Sequence, residues 1–557
     1  MFFREKRVGD RNYLQIVENQ WQEGRSRQRV IATVGRVDTL RASGQLDALL
    51  ASGARFSEAA LIITAHARGE APRIRSWRAG PTLVFERLWE ETGIGPVLRS
   101  LLAAREFLFP VERAVFLTVL HRLMKPGSDR AADKWRADYS LNGSCSLDLH
   151  HLYRATAWLG DEMGNDEQTG RTPFAPRCTK DVIEEKLFLQ RRDLFTSLDL
   201  VFFDTTSIYF EGQGGETLGR YGKSKDHRPD ERQMVVGLVL DGNGQPVCCE
   251  MWPGNTSDVK TLIPIVERMQ SRFSIGRVCV VADRGMISKE TIETLESSDR
   301  RWLFILGARM RAQKEVRDEV LGRGGGRYRE VRPPRKTSKD PAPLEVREVR
   351  VQGRRYIICY NEERAKKDRA DRKAIVVALR KQLHQGNKSL VGNKGYRKFL
   401  KSRGDAFRID RDKIREEARY DGKYVLRTNT DLPAAEVALR YKQLWMVETL
   451  FRSGKSLLET RPIFHRRDET IRGHVFCSFL ALILRKELQD RLAKKGHGDL
   501  EWEDVIRDLD ALTVTEVEHQ GKRFLLRSEA RSACGKAFQA AGVAMPPTLE
   551  AHPELSK

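Results

Sequence analysis

The sequence predicts an α/β core, a mixed sheet flanked by helices, interrupted by a basic insertion with β structure and preceded by a mainly helical region. Three observations predict it. Between 198 and 308 short apolar runs alternate with helical patterns. From about 57 to 190, and again after 431, apolar residues recur at helix-like spacing. Between 311 and 425 the chain turns polar and irregular, with two strand-like runs around Gly353.

Taken in order, residues 1–50 read as a small basic hairpin, with YLQIVE and RVIATV as strands around the polar connector NQWQEGRSRQ. Residues 51–195 read as a mainly helical region, expected to be a binding part of the chain. Within it VERAVFLTVLHRLM places Val115, Leu117, Leu120 and Leu123 at helical spacing before the break KPGS, and the basic DRAADKWRADYSL reads as a helix with a solvated face. Residues 196–310 supply the first part of the core: LVFFDTTSIYF, QMVVGLVL, the turn DGNG, PVCCEMW, a helix from about 258 to 271, RVCVVAD, a helix near 288 to 297, and WLFILGA. Strands joined by hairpins and then strand–helix units define a mixed sheet.

Residues 311–425 are the insertion, with LEVREVRV and RRYIICYN as strands. It holds 34 Lys and Arg against 17 Asp and Glu, a net of +17 out of +22 for the whole chain. Residues 426–495 return to helix. DLPAAEVALRYKQLWMVETLFRSGKS reads as one helix over 433–456, begun by Asp431 and Pro433, and DETIRGHVFCSFLALILRKELQDRL as a second. Residues 496–557 are a C-terminal tail whose pattern allows helix and specifies little.

A charge of +22 and a pI near 9.7 call for an anionic partner, and nucleic acid fits best because its phosphates lie densely along a line. A membrane span needs roughly 18–20 apolar residues. The longest apolar run, VFCSFLALIL at 475–484, is half that. The start MFFREKRVGDRNY is charged almost at once, which speaks against a signal peptide. Eight cysteines without a C-x-x-C or zinc spacing read as reduced, mostly buried thiols of a cytoplasmic protein.

The chemistry is carried by acidic residues in unusual company. Asp204 stands in the middle of an apolar strand, where an unpaired carboxylate is costly to desolvate, and Asp283 ends VCVVAD. On the 433–456 helix, Tyr441, Glu448 and Lys455 are spaced by seven and so share a face. Leu444 lies between them, and Leu439, Met446, Leu450 and Leu457 form a separate apolar stripe. Asp241 reads as a hairpin-turn residue, Asp258 as a helix cap, and Glu250 and His227 as structural.

FFDTTS, VVADRG and YKQLWMVETLFRSGK together resemble the DDE transposases of bacterial insertion sequences. More narrowly they resemble the branch with a Tyr-Arg-Glu-Lys signature on its last catalytic helix. Tyr441, Glu448 and Lys455 match that signature, while Leu444 stands where it has arginine, with Arg440 and Arg452 as the nearby substitutes. YLQIVENQWQEGRSRQRVIATVGRVDTL, GQPVCCEMWPGNTSDVKTL and RPIFHRRDETIRGHVFCSFLALIL extend the resemblance over most of residues 1–490.

The resemblance implies a ribonuclease H-like core in which Asp204, Asp283 and Glu448 bind two Mg²⁺ or Mn²⁺ ions. It implies metal-assisted strand cleavage at the inverted-repeat ends of the element, followed by attack of the freed 3′-hydroxyl on target DNA. It also implies phosphate contacts from Tyr441, Lys455, Arg440 and Arg452, an insertion that helps hold the transposon end, and a homodimer pairing two ends in the bacterial nucleoid. Tyr356, Tyr360 and Tyr424 are the insertion aromatics available to stack on an unpaired base. A nuclease sharing the core, or a derivative that only binds DNA, are the competing readings.

Overall fold

The computed structural model describes all residues except 1, 23–24, 47, 50–72, 169–174, 192–199, 274–277, 298–301, 323–326, 333–342, 385–397, 404–405, 455–459, 461, 520–521 and 553–557. Its strands, in chain order, are β1 (Phe2–Val8), β2 (Arg11–Gln22), β3 (Arg25–Arg36), β4 (Arg73–Arg78), β5 (Leu200–Tyr209), β6 (Gln233–Asp241), β7 (Pro246–Pro253), β8 (Cys279–Ala282), β9 (Leu303–Gly307), β10 (Arg329–Val331), β11 (Leu344–Val351), β12 (Arg354–Tyr360), β13 (Leu400–Arg403), β14 (Ala406–Ile409), β15 (Lys423–Thr428), β16 (Thr513–His519), β17 (Lys522–Arg527) and β18 (Leu549–His552).

The chain divides into two compact units. One comprises residues 1–87, 134–142 and 490–557. The expected N-terminal hairpin is here a three-stranded antiparallel sheet, because FFREKRV adds β1 ahead of the two expected strands. The tail is structured by pairing with distant sequence: β4 is the edge of a four-stranded sheet ordered β18-β17-β16-β4. Arg78 donates to the Tyr139 hydroxyl at 3.1 Å, and both donate to the Asp510 carboxylate, tying together three stretches far apart in the chain.

The other unit comprises residues 88–133 and 143–489 and is built on a nine-stranded mixed sheet ordered β10-β11-β12-β15-β9-β8-β5-β6-β7. β5, β8 and β9 are parallel neighbours; the remaining pairings are antiparallel. Side chains alternate across a strand, so Val201 and Phe203 of β5 point to one face. There they bury against Leu262, Ile265 and Met269 of the Leu262–Phe273 helix and, with Val280 and Leu306, share a core with Ile292 and Leu295 of the Lys289–Ser297 helix. Each such side chain, fully buried, contributes roughly 1.5–3 kcal/mol. The other face of β5 and β6, including Thr206, Ile208 and Leu238, meets Leu450, Val475 and Phe479 from the helices after residue 444.

Of the strands in the 311–425 segment, β10, β11 and β12 continue this same sheet through β15, while β13 and β14 pair with each other in a sheet of their own. β11 and β12 form a two-residue hairpin in which Gln352 and Gly353 both take positive φ (49° and 76°), the backbone of a type I′ turn. The segment also contains a 23-residue helix, Glu362–His384, which the charge-rich sequence did not signal because only Ala365 and Leu379 along it are buried.

The helix expected over 433–456 is instead two, Ala434–Lys442 and Trp445–Arg452. At the joint the bonds shorten to three-residue spacing, Leu444 N–H to Tyr441 O at 3.1 Å and Val447 N–H to Leu444 O at 3.0 Å. A three-residue turn advances about 120° per residue, not 100°, so a spacing of seven no longer keeps Tyr441 and Glu448 in line. All eight cysteines are unpaired and seven are buried. Among the described residues no helix is long and apolar enough to cross a membrane.

Candidate active site

β5 and β8 run parallel with Phe203 opposite Ala282, the last shared rung. The next residues are Asp204 and Asp283, which therefore stand level on neighbouring strands, about 4.8 Å apart in backbone. Both are half-buried. Glu448 comes from the Trp445–Arg452 helix, which packs on β5 and β6 and exposes this residue.

The electrostatics tie the three together. Burial pushes the Asp204 carboxyl up to about 6; Lys225 and the Thr205 N–H oppose this, while the charges of Asp283 and Glu448 add to it. The Thr205 N–H donates to Asp204 Oδ1 at 2.7 Å, and the Tyr441 hydroxyl donates to Asp283 Oδ1 at 2.8 Å. Burial, then the Asp283 charge and hydrogen bond, hold the Tyr441 phenol well above its usual range, so it stays a donor. Arg309 pins the turn after Asp283, donating to the carbonyls of Arg284 (3.0 Å) and Gly285 (3.1 Å). Among the described residues no salt bridge reaches Asp204, Asp283 or Glu448.

Three carboxylates without a paired cation, donating only hard oxygens, fit divalent Mg²⁺ or Mn²⁺. Among the described residues, the set of three metal-capable side chains whose donor atoms all lie within 4.8 Å is a different one: Asp148, His150 and His151. That set is a helix cap. His151 Nδ1 accepts the Asp148 N–H at 2.9 Å, which leaves the proton of a neutral ring on Nε2, and the ring stacks on Phe109 at 4.4 Å. The donor oxygens of Asp204, Asp283 and Glu448 do not all lie that close together.

The remaining sequence candidates are placed as follows. Arg440 donates to Glu436 at 3.0 Å, and Arg452 is exposed at the end of its helix. Lys455 lies outside the described residues. Leu444 is buried, so the position of the signature arginine presents no charge. Tyr356 is 1% exposed, which removes it as a surface for an unpaired base, and Tyr424 packs on Tyr441 with ring centroids 5.8 Å apart. Tyr360 is half-buried near Tyr328.

Asp241 caps its hairpin, accepting from the N–H groups of Asn243 (2.8 Å) and Gln245 (2.9 Å). Asp258 is not a cap. Ser257 holds that position, and the Asp258 carboxylate turns to Thr205 and Lys225. Sequence reading missed this contact because the partners come from a strand and from a loop distant in the chain; the only signal was DTTS and NTSD each placing a hydroxyl beside an aspartate.

The family model described as "Transposase DDE domain" matches residues 196–484, and that of the IS1634 family transposase N-terminal domain matches residues 3–66. The chain belongs to the DDE transposases of bacterial insertion sequences and is an enzyme of DNA transposition. Such domains are generally dependent on divalent metal. No curated protein matches the sequence. The chain is also similar to a piggyBac transposase solved by cryo-EM as a synaptic complex with hairpin DNA: identity is 10%, with 77% of this chain and 79% of that one covered and a TM-score of 0.36.

Proposed function

We propose that the chain cleaves DNA at the inverted-repeat ends of its own element and joins them to target DNA, using Asp204, Asp283 and Glu448 of a ribonuclease H-like core as ligands for two Mg²⁺ or Mn²⁺ ions. The observation that carries this reading is the shared register of β5 and β8, which sets Asp204 within β5 level with Asp283, the residue that follows β8, in the field of Glu448. When bound, the ions would supply Lewis-acid stabilisation of the attacking and leaving oxygens in phosphoryl transfer. The protein's own part is orientation. Thr205 N–H fixes Asp204 and Tyr441 OH fixes Asp283.

The segment 311–425, with its net charge of +17, supports a phosphate-facing surface along the sheet edge, and residues 1–50 and 51–195 would recognise the ends. Double-stranded DNA is the partner, two copies of the chain hold two ends, and the work is done at the bacterial nucleoid. Arg440, Arg452 and Lys455 remain the phosphate contacts of this reading; Tyr441 serves Asp283 first.

The test uses oligonucleotides carrying the inverted repeats that flank the gene. With Mg²⁺ the parent should cut and, given pre-cleaved ends, join them to a target. Loss of outer-shell support for a metal costs roughly 10–100-fold, so Asp204→Asn, Asp283→Asn and Glu448→Gln should each lose more than about 100-fold. Activity persisting in all three would refute the site; cleavage without joining would make the protein a nuclease.

A further inference from the structure

The mechanism leaves one polar cluster unused. It lies on the face of β5 opposite Asp204. β8 stops at Ala282, so on that side the backbone of Thr205 has no strand to bond. Its N–H goes to Asp204 Oδ1 at 2.7 Å, and its carbonyl accepts from Lys225 Nζ at 2.7 Å. The same ammonium donates to Thr205 Oγ1 at 2.9 Å and faces Asp258 Oδ2 at 3.2 Å. The Thr205 hydroxyl in turn donates to Asp258 Oδ1 at 2.8 Å.

All three ammonium donors of Lys225 are thereby engaged, and both Asp258 oxygens are occupied. Lys225 has no donor left for a DNA phosphate, and its ion pair is with Asp258, although its charge also reaches Asp204. Asp258 Oδ2 also lies 3.8 Å from where a Cβ on Gly285 would sit, in the turn that follows Asp283. One carboxylate thus bonds the strand that bears Asp204 and lies beside the turn that follows Asp283.

We infer that Thr205, Lys225 and Asp258 form a positioning clamp: by fixing the Thr205 peptide from behind, they set the rotamer of Asp204 and its alignment with Asp283 for divalent-cation binding. None of the three touches metal or DNA. The inference rests on Asp204 being a metal ligand, and the test separates the two claims.

Calorimetric titration of the full-length chain with MnCl₂, without DNA, reads the effect directly. Thr205→Val, Lys225→Gln and Asp258→Asn should each weaken Mn²⁺ binding by about tenfold or more, the cost typical of an outer-shell partner, with circular dichroism and thermal midpoint held near those of the parent. Thr205→Ser, which keeps the hydroxyl, should recover binding to within about threefold, and the Lys225→Gln/Asp258→Asn double variant should lose little more than the worse single one, since the groups act as a unit. If Lys225→Gln does not fold, the Val and Ser variants of Thr205 decide. Folded Thr205→Val and Asp258→Asn proteins that bind Mn²⁺ as the parent does would overturn the clamp and leave the site intact. Affinity lost only in step with the thermal midpoint, without recovery in Thr205→Ser, would overturn it as well. Unchanged binding in Asp204→Asn would overturn the site itself and the clamp with it.

Discussion

Two clusters of charge lie in the same unit, and they are built on opposite rules. The first joins the Thr179–Arg191 and Leu262–Phe273 helices to β7: Lys180, Arg268 and Arg272 against Asp181, Glu184 and Glu250, three cations and three anions with nearly inaccessible side chains, extended at the rim by the Arg177–Glu185 pair. Arg272 alone reaches Glu184 at 2.6 Å, Glu250 at 2.8 Å and Asp181 at 3.2 Å. Although burial opposes it, Lys180, Arg272 and Arg268 hold Asp181 below the usual carboxylate range. The second cluster, Asp204, Asp283 and Glu448, is more open yet unbalanced among the described residues, and Lys225, the cation that acts on Asp204, is committed to Asp258. Balance marks charge that serves the fold, and imbalance marks charge kept for something that arrives from outside.

The contrast can be broken most strongly in the balanced cluster. Arg272→Met strands buried carboxylates and should cost about 3–5 kcal/mol in urea unfolding. A loss below 1 kcal/mol would mean the cluster is not the structural unit described. In the unbalanced cluster the sign reverses. Unfolded, Asp204 titrates near 3.9; folded, near 6. Between these values the native state keeps a proton the unfolded chain has released, so metal-free stability falls as pH rises from about 4 to 6 and stays lowered above.

Asp204→Asn should therefore stabilise the protein in EDTA at pH 7.5, by on the order of 1–3 kcal/mol, with the gain vanishing near pH 4. Saturating Mn²⁺ should then stabilise the parent and leave the variant unmoved, by about 2.7 kcal/mol at a hundredfold excess over Kd. A variant no more stable than the parent in EDTA would remove the imbalance from the account. The smallest effect is expected at Tyr441→Phe, which keeps the ring against Tyr424 and deletes one hydrogen bond to Asp283. DNA cleavage should drop about tenfold with folding unchanged; an unaltered rate would show that Asp283 needs no support there.

Much of the central sheet was legible because its order is local. The runs VFFDTTSIY, QMVVGLVLD and CVVA are short, apolar and bounded by turns, so strands and hairpins follow from composition, and Asp204 within one apolar run and Asp283 at the end of another stand out as charges in unusual places. What escaped depends on distance. β16 pairs with β4 across more than 430 residues, and nothing in TVTEVEH names RIRSWR as its neighbour. The helix break at Gln443–Leu444 was hidden because its residues are good helix formers; the tightened turn brings Leu444 and Val447 inward together. Asp258 was misread because its NTSD setting is that of a cap, while its partners come from a strand and a loop.

The period of two along β5 has a final consequence. Asp204 and Thr205 are consecutive, so one looks toward Glu448 and the other toward Asp258, and the pleat alone keeps those tasks apart. Deleting or inserting a single residue upstream in this strand would exchange the two sides, sending the acid into the helix-packed layer and the hydroxyl to the reactive one. Substitutions along β5 can be absorbed by degrees; a change in its length cannot.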